Sequence, residues 1–214
     1  MKYEIGMYDW NGTVADDPHT CHECVVEIFR TFGPGIPIPD FEEWRSDHGA
    51  ANFLDFYYQR GIERSVTIGM IREAWIPHYK KQMLARDAYI REGVKDVLEF
   101  CREHGARNII VSSSVDDVEY YLKMAKLRHL FDEVHIGVSN KNAALTEVVE
   151  RYNIDPAKGF YIDDTFDGVS HANEVGLTTF GVVIGCQDEN RVRAANPNYS
   201  VSSFREIHRV LQYT

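Results

Sequence analysis

The sequence predicts an α/β fold: a parallel sheet covered by helices on both faces, with an all-helical block inserted after the first strand. Three observations predict it. Short apolar runs alternate with amphipathic helical patterns after Glu92-Gly93. One strand-like run, residues 3–8, stands apart near the amino terminus and ends abruptly in Asp9-Trp10-Asn11-Gly12-Thr13. Between these two parts, residues 16–88 carry helical periodicity and no convincing strand.

The elements follow in order. Residues 3–8 (YEIGMY) form the first strand. Asp16 or Asp17 caps a helix with Pro18 in its first turn, and Cys21, Cys24, Val25, Ile28 and Phe32 recur at helical spacing along it. Gly33-Pro34-Gly35 breaks that helix, and further helices are expected near 40–47, 51–60 and 68–85. After Glu92-Gly93 a helix over 94–104 stops at Gly105. A buried strand over 108–111 ends in Ser112-Ser113-Ser114, and a helix over 116–125 follows. A strand over 133–137, a helix over 141–152 and a strand over 159–162 lead to Asp163-Asp164. A helix over 166–175 ends at Gly176, a strand covers 178–183, and a short strand over 198–201 precedes a helix capped by Ser202 or Ser203. The result is a Rossmann-like three-layer core over 1–15 and 89–214, interrupted by the helical block over 16–88.

Composition narrows the function. The 214 residues are 44% hydrophobic and 26% charged, which describes an ordinary globular chain and not a disordered one. Net charge is −10, from 33 acids against 23 bases. Such a surface repels phosphate backbones and argues against a nucleic-acid polymer as partner. It leaves room for a small anion held by a local cation. No run approaches the ~20 apolar residues of a membrane helix, and the first residues show no signal-peptide apolar stretch. The expectation is a cytoplasmic protein, without a disulfide framework among its four cysteines. Neither G-x-G-x-x-G nor G-x-x-x-x-G-K-[ST] occurs, so the dinucleotide and P-loop fingerprints are absent.

In a parallel sheet, chemistry gathers at the carboxyl ends of the strands. The polar residues there are Asp9 and Asn11, Ser112, Lys141 at a helix start, and Asp163 with Asp164. Carboxylates held together repel unless protons or a hard cation compensate them. Mg²⁺ takes one or two carboxylates together with substrate phosphate. Lys141 and Ser112 are then free to hold the remaining phosphate oxygens, and Asp9 to attack phosphorus.

This set of residues resembles a known family. Asp9-Trp10-Asn11-Gly12-Thr13, the strand ending in Ser112, Lys141 heading a helix, and Asp163-Asp164 look like the four ordered motifs of the haloacid dehalogenase-like hydrolases. The helical block falls where that superfamily carries its cap. Glu92-Gly93-Val94 with the run 101–105 resembles the core re-entry of phosphoglycolate-phosphatase-like members. The resemblance implies a Mg²⁺-dependent phosphomonoester hydrolase that acts on a small phosphorylated metabolite through an aspartyl-phosphate on Asp9. It gives Asn11 the general acid/base position and a backbone contact to the metal. Gly12 and Thr13 complete that loop, Ser112 and Ser113 meet the phosphate, and Lys141 neutralises charge. Asp9, Asn11, Asp163 and Asp164 surround the cation. Asp164 is the preferred acidic ligand because of the spacing to Gly176. The alternative register, pairing Asp163 with Asp167, stays open. Arg45 and His48 lie in a stretch that resembles the substrate-reading loop of related caps.

Two departures stand out. Asn11 replaces an aspartate, and an amide cannot give up a proton to a leaving alkoxide and stay neutral. General acid–base help contributes typically ~10²–10⁴-fold, so slow turnover of poor leaving groups is expected. An alternative class follows: a phosphate-ligand-binding or regulatory protein with weakened catalysis. The second departure is Gly168, standing where a fourth acid is expected, with Asp167 beside it. Dehalogenation of 2-haloacids, which needs no metal-binding acids, fits poorly with Asp163 and Asp164. Cys21 and Cys24 share an apolar helix face with Ile28, which favours packing over a metal site. Asp116, Asp117 and Glu119 read as a solvated acidic helix face, and Ser114 as a helix cap. Substrate identity and oligomeric state are not legible.

Overall fold

The structure is a computed structural model, and it describes residues 1–47, 53–86 and 89–214. Six parallel strands form one sheet: β1 (Ile5–Tyr8), β2 (Arg107–Val111), β3 (Glu133–His135), β4 (Gly159–Asp163), β5 (Thr178–Val182) and β6 (Tyr199–Val201). Their order is β3-β2-β1-β4-β5-β6. The chain winds outward in both directions from β1, so the crevice lies where β1 and β4 neighbour each other. Tyr8 pairs with Ile110 on one side and Ile162 on the other, which brings the ends of three strands level.

The two faces of the sheet follow from strand alternation. Ile5, Met7, Ile109, Val111 and Tyr161 point to one face, which is covered by α7 (Lys141–Arg151) and α8 (Phe166–Val175) through Leu145, Val148 and Ala172. Tyr8, Ile110, Phe160, Ile162 and Phe180 point to the other. There they meet α5 (Val94–Glu103) and α10 (Phe204–Gln212) through Val97, Leu98, Ile207 and Leu211. Gly6 has no side chain because a Cβ there would sit 2.3 Å from the Phe160 ring. Local signals place the helices as expected. Asn140 caps α7, Thr165 caps α8, Ser203 caps α10, and Gly176 closes α8 with φ +89°.

The inserted block comprises α1 (Pro18–Phe32), α2 (Phe41–Asp47), α3 (Phe53–Gln59) and α4 (Ile68–Leu84). Its two connections to the sheet run side by side, with Ala15 paired antiparallel to Ile90. Asp16 N donates to Tyr89 O and Arg91 N to Val14 O. Helix α4 keeps its course through Pro77 and starts on Thr67, whose hydroxyl accepts from Met70 N. Aromatic packing ties α4 to the sheet side. Trp75 stacks on Tyr79, which meets Tyr121 edge-on, and Tyr121 stacks on Trp10.

Three features depart from the sequence expectations. Residues 10–14 form a wide turn, closed by Ala15 N donating to Trp10 O at 2.9 Å with non-helical backbone at Asn11 and Gly12, and not a plain loop. A short helix α9 (Glu189–Ala194), capped by Asp188, stands where only loop was expected. Helix α6 (Val118–Met124) starts on an Asp117 cap, so neither Ser114 nor Asp116 serves as its cap or lies within it.

One buried amide joins three of these elements. Asn108, fully buried in β2, accepts from Tyr8 Oη at 2.8 Å and donates to the carbonyls of Leu98 and Leu130 at 3.0 Å each. Removing it leaves a hydroxyl and two carbonyls without partners. Asn108→Ala is expected to cost about 2–3 kcal/mol of unfolding free energy in denaturant titration. A loss below ~0.5 kcal/mol would contradict that account.

Candidate active site

Asp9 follows β1 directly, and its N–H donates to Ile162 O at 2.9 Å, which fixes it against β4. Asp163 ends β4 and Asp164 comes next. Lys141 opens α7 and reaches across to both strands. Its Nζ donates to Asp9 Oδ1 at 2.8 Å and to Asp163 Oδ2 at 2.6 Å. The other Asp163 oxygen accepts from Thr165 N and Thr165 Oγ1 at 2.8 and 2.6 Å. Asp164 accepts from Thr13 Oγ1 at 3.2 Å and from the Cys186 N–H. One oxygen from each of Asp9, Asp163 and Asp164 lies within 4.8 Å of the others, and all three residues are buried.

Glycines make room for this cluster. Gly12 has φ +70°, and a Cβ on it would lie 2.1 Å from Asp164 Oδ2. A Cβ on Gly185 would lie 2.2 Å from Asp164 Cβ. Gly168, where a fourth acid was expected, comes so close that a Cβ would sit 2.0 Å from Asp163 Oδ2. No side chain fits there. Asp167 lines the neighbouring cavity but stands outside the group of three carboxylates.

The charge balance is uneven. Burial pushes the Asp9 carboxyl up to about 6, with Lys141 opposing the shift and Asp163 adding to it. Burial raises Asp164 further, to about 8, with Asp163 and Asp9 adding their repulsion. Burial works against the Lys141 charge, but Asp163 and Asp9 together lift its pKa well above the usual lysine value. One ammonium thus faces three carboxyls whose donor atoms are all oxygen. That donor set fits a hard divalent cation such as Mg²⁺.

The loop after β1 is held by Arg91, which the sequence did not single out, and by Asp17 in a role other than the cap expected of it. Arg91, buried, donates to the carbonyls of Gly12 and Thr13 at 2.9 and 3.2 Å, and its other amino group meets Asp16 at 3.2 Å. Asp17 does not cap α1 through its side chain. Its carboxylate instead accepts from Gly12 N at 2.6 Å, Asn11 Nδ2 at 2.8 Å and Tyr79 Oη at 2.5 Å. The Asn11 amide therefore acts as a donor, locked between the α1 start and α4. Burial raises the Asp17 pKa, with these three donors opposing the shift. The adjacency of Arg91 to Glu92-Gly93 was the one sequence cue to the first clamp.

The other candidates divide. Ser112 is buried beside Asp9, where its hydroxyl favours the anion, and it accepts from Ser114 N at 3.1 Å. Ser113 lines a cavity of about 470 Å³ together with Asp9, Asn11, Lys141 and Asp164. Cys21 also lines it, whereas Cys24 is packed in the core. The expectation for Arg45 is corrected. Its guanidinium donates to the carbonyls of Val183, Gly185 and Gln187, so it holds α2 to the loop after β5 and lines a separate, smaller pocket. His48 lies outside the described residues. Asp116 is also corrected: it is 3% exposed and lines the cavity, where a solvated position was expected.

The chain is similar to known proteins in sequence and fold. The family model described as haloacid dehalogenase-like hydrolase matches residues 7–182. A phosphoglycolate phosphatase of Synechococcus elongatus is 33% identical over 199 residues, covering 90% of each chain. Among solved structures, CbbY from Rhodobacter sphaeroides in complex with xylulose-(1,5)bisphosphate superposes with a TM-score of 0.77 at 19% identity, over 95% of this chain and 96% of that one. A β-phosphoglucomutase from Clostridium difficile gives 0.74 at 16% identity, over 96% and 93%. No helix among the described residues is long and apolar enough to cross a membrane. The chain belongs to the haloacid dehalogenase-like hydrolases and is an enzyme of their phosphatase type.

Proposed function

We propose that the protein is a Mg²⁺-dependent phosphomonoester hydrolase acting on a small phosphorylated metabolite, with Asp9 as nucleophile. The observation that carries this reading is the buried Asp9–Lys141–Asp163–Asp164 cluster, in which one ammonium faces three carboxyls at the sheet's crevice. Asp9, Asp164 and the Asn11 backbone carbonyl are assigned to hold the cation. Asp163, with both oxygens already engaged, is assigned to position Lys141 and the Thr165 turn. A bound Mg²⁺ supplies charge neutralisation for the arriving phosphate.

The chain's own residues then divide the work. Lys141, Ser112 and the Ser113 region orient the phosphoryl group, an arrangement that lowers the barrier mainly by positioning and electrostatics. An Asp9 oxygen forms a bond to phosphorus as the ester P–O bond breaks, and the leaving alkoxide takes a proton from solvent water, since Asn11 cannot supply one. Water then attacks phosphorus, the Asp9–phosphorus bond breaks, and phosphate and a proton are released. Helices α1–α4 act as a cap that closes the cavity over the substrate.

Phosphate release from p-nitrophenyl phosphate and a metabolite panel tests this reading. Release is expected with Mg²⁺ and lost on chelation, and Asp9→Asn should remove at least about 10³-fold of kcat. Activity unchanged in Asp9→Asn would overturn the nucleophile.

Asn11→Asp places a second carboxyl against Asp17. Because one proton is retained between the two, kcat on an alkyl phosphate should rise about tenfold or more. Tm should fall above neutral pH, where both carboxyls must ionise. An unchanged kcat would show that leaving-group protonation is not limiting.

Cation binding should depend on pH in a definite direction. Asp9 and Asp164 have folded pKa values of about 6 and about 8 against an ordinary 3.8. The folded form therefore holds these protons more tightly, and their contribution to stability falls as pH rises from about 4 to about 8. A cation binds the ionised form and reverses that loss. The rise in Tm on adding Mg²⁺ is expected to be larger at pH 8 than at pH 6, and to shrink in Asp164→Asn. An equal or opposite trend would contradict the assignment.

A further inference from the structure

The loop after β2 carries a buried carboxyl that the phosphoryl-transfer set does not use. Asp116 is 3% exposed and lines the same cavity as Asp9 and Asn11. Its Oδ2 accepts from Ser114 Oγ at 3.0 Å, and its backbone N–H donates to the same hydroxyl at 3.3 Å. Ser114 N in turn donates to Ser112 Oγ. The carboxyl is thus fixed by the turn that carries Ser112. Its second oxygen, Oδ1, is buried and has no hydrogen-bond partner among the described residues.

A buried acceptor without a donor destabilises a fold. In a substrate cavity, such an atom is accounted for when the ligand brings the donor. The surroundings limit what that ligand is. From the inserted helices, Phe53, Phe56, Ile71 and Trp75 give the cavity apolar faces. Arg72 on α4 is exposed at the same cavity, where solvent screens its charge. Burial pushes Asp116 up to about 7; the Ser114 hydroxyl and, from farther off, the Trp75 and Asn11 side chains oppose the shift, and Asp17 adds to it. In either protonation state the carboxyl offers an acceptor.

We propose that Asp116 determines specificity at this site by accepting a hydrogen bond from a hydroxyl or ammonium group on the leaving group of the phosphate ester. This rests on the phosphomonoester hydrolase reading. In its ionised form the same carboxyl works against a leaving group with a second anion, because a carboxylate or phosphate there would face a buried like charge and supply no donor. The chain's preference would then differ from the substrate in the name of its Synechococcus relative.

The test compares kcat/KM, with Mg²⁺, for glycerol 3-phosphate, O-phosphoethanolamine, phosphoglycolate and p-nitrophenyl phosphate. Wild type is expected to favour the hydroxyl or ammonium ester over phosphoglycolate by about tenfold or more. Asp116→Ala should lower the ratio of kcat/KM for the favoured ester to that for p-nitrophenyl phosphate by about tenfold or more. Asp116→Asn keeps an acceptor without charge. It should retain a hydroxyl ester and lose an ammonium ester, which separates the two donors. Tm of both variants should equal or exceed wild type, since an orphaned buried acid is removed.

A ratio unchanged within about twofold in Asp116→Ala, a wild-type preference for phosphoglycolate, or a Tm that falls in both variants would overturn the proposal. Release from p-nitrophenyl phosphate with an unmoved ratio removes this proposal and leaves the hydrolase reading standing. No release from any ester removes both.

Discussion

Three carboxyls and one lysine meet in a buried space at the crevice of the sheet, and the rest of the molecule is arranged around keeping them there. Lys141 bridges Asp9 and Asp163 from the start of α7. Losing one partner of such a pair leaves an uncompensated buried charge, at a cost of about 3–5 kcal/mol. The fold therefore depends on α7 starting at this place, on the Asn140 cap that starts it, and on the β1–β4 pairing that brings Asp9 beside Asp163. Glycines at 12, 168 and 185 leave the space that the Asp163 and Asp164 carboxyls occupy. Three carboxyls facing one ammonium leave an all-oxygen donor set that a purely structural ion pair would not need.

The second constraint couples the inserted helices to the reacting end. Asp17 stands at the start of α1 and gathers donors from the loop after β1 and from Tyr79 of α4. A movement of α4 relative to the sheet must break or carry the Tyr79–Asp17 bond, and with it the setting of Asn11. This gives Asn11 a physical role that an aspartate could not fill without a shared proton. An amide cannot give up a proton as a carboxylic acid can, and at this position it ties the insertion to the loop. Asp116 lies in the same neighbourhood and is the acid left over once these partnerships are counted.

Much of the fold was legible in the sequence because its signals are local. Periodicity marked the alternating strands and helices, and Gly176 marked the end of α8. That Asp9, Ser112, Lys141 and Asp164 come together was legible because strand ends in a parallel sheet converge. What escaped depended on partners distant in sequence. Asp17 read as a cap, although its donors include Tyr79, 62 residues away. Arg45 read as a substrate contact, although the carbonyls that occupy it come from the loop after β5. Asp116 read as solvated because its neighbour Asp117 is the exposed cap of α6, and the two look alike in sequence. Gly168 read as a missing acid, whereas the Asp163 carboxylate fills the space.

The most direct measurement is to trap the covalent intermediate. Protein turning over a phosphate ester with Mg²⁺ is quenched in acid, reduced with borohydride, digested and sequenced by mass spectrometry. The account predicts a phosphoryl adduct, or its reduction product, on the peptide that carries Asp9 and on no other. Turnover without any adduct, or with the adduct on a different residue, would contradict it.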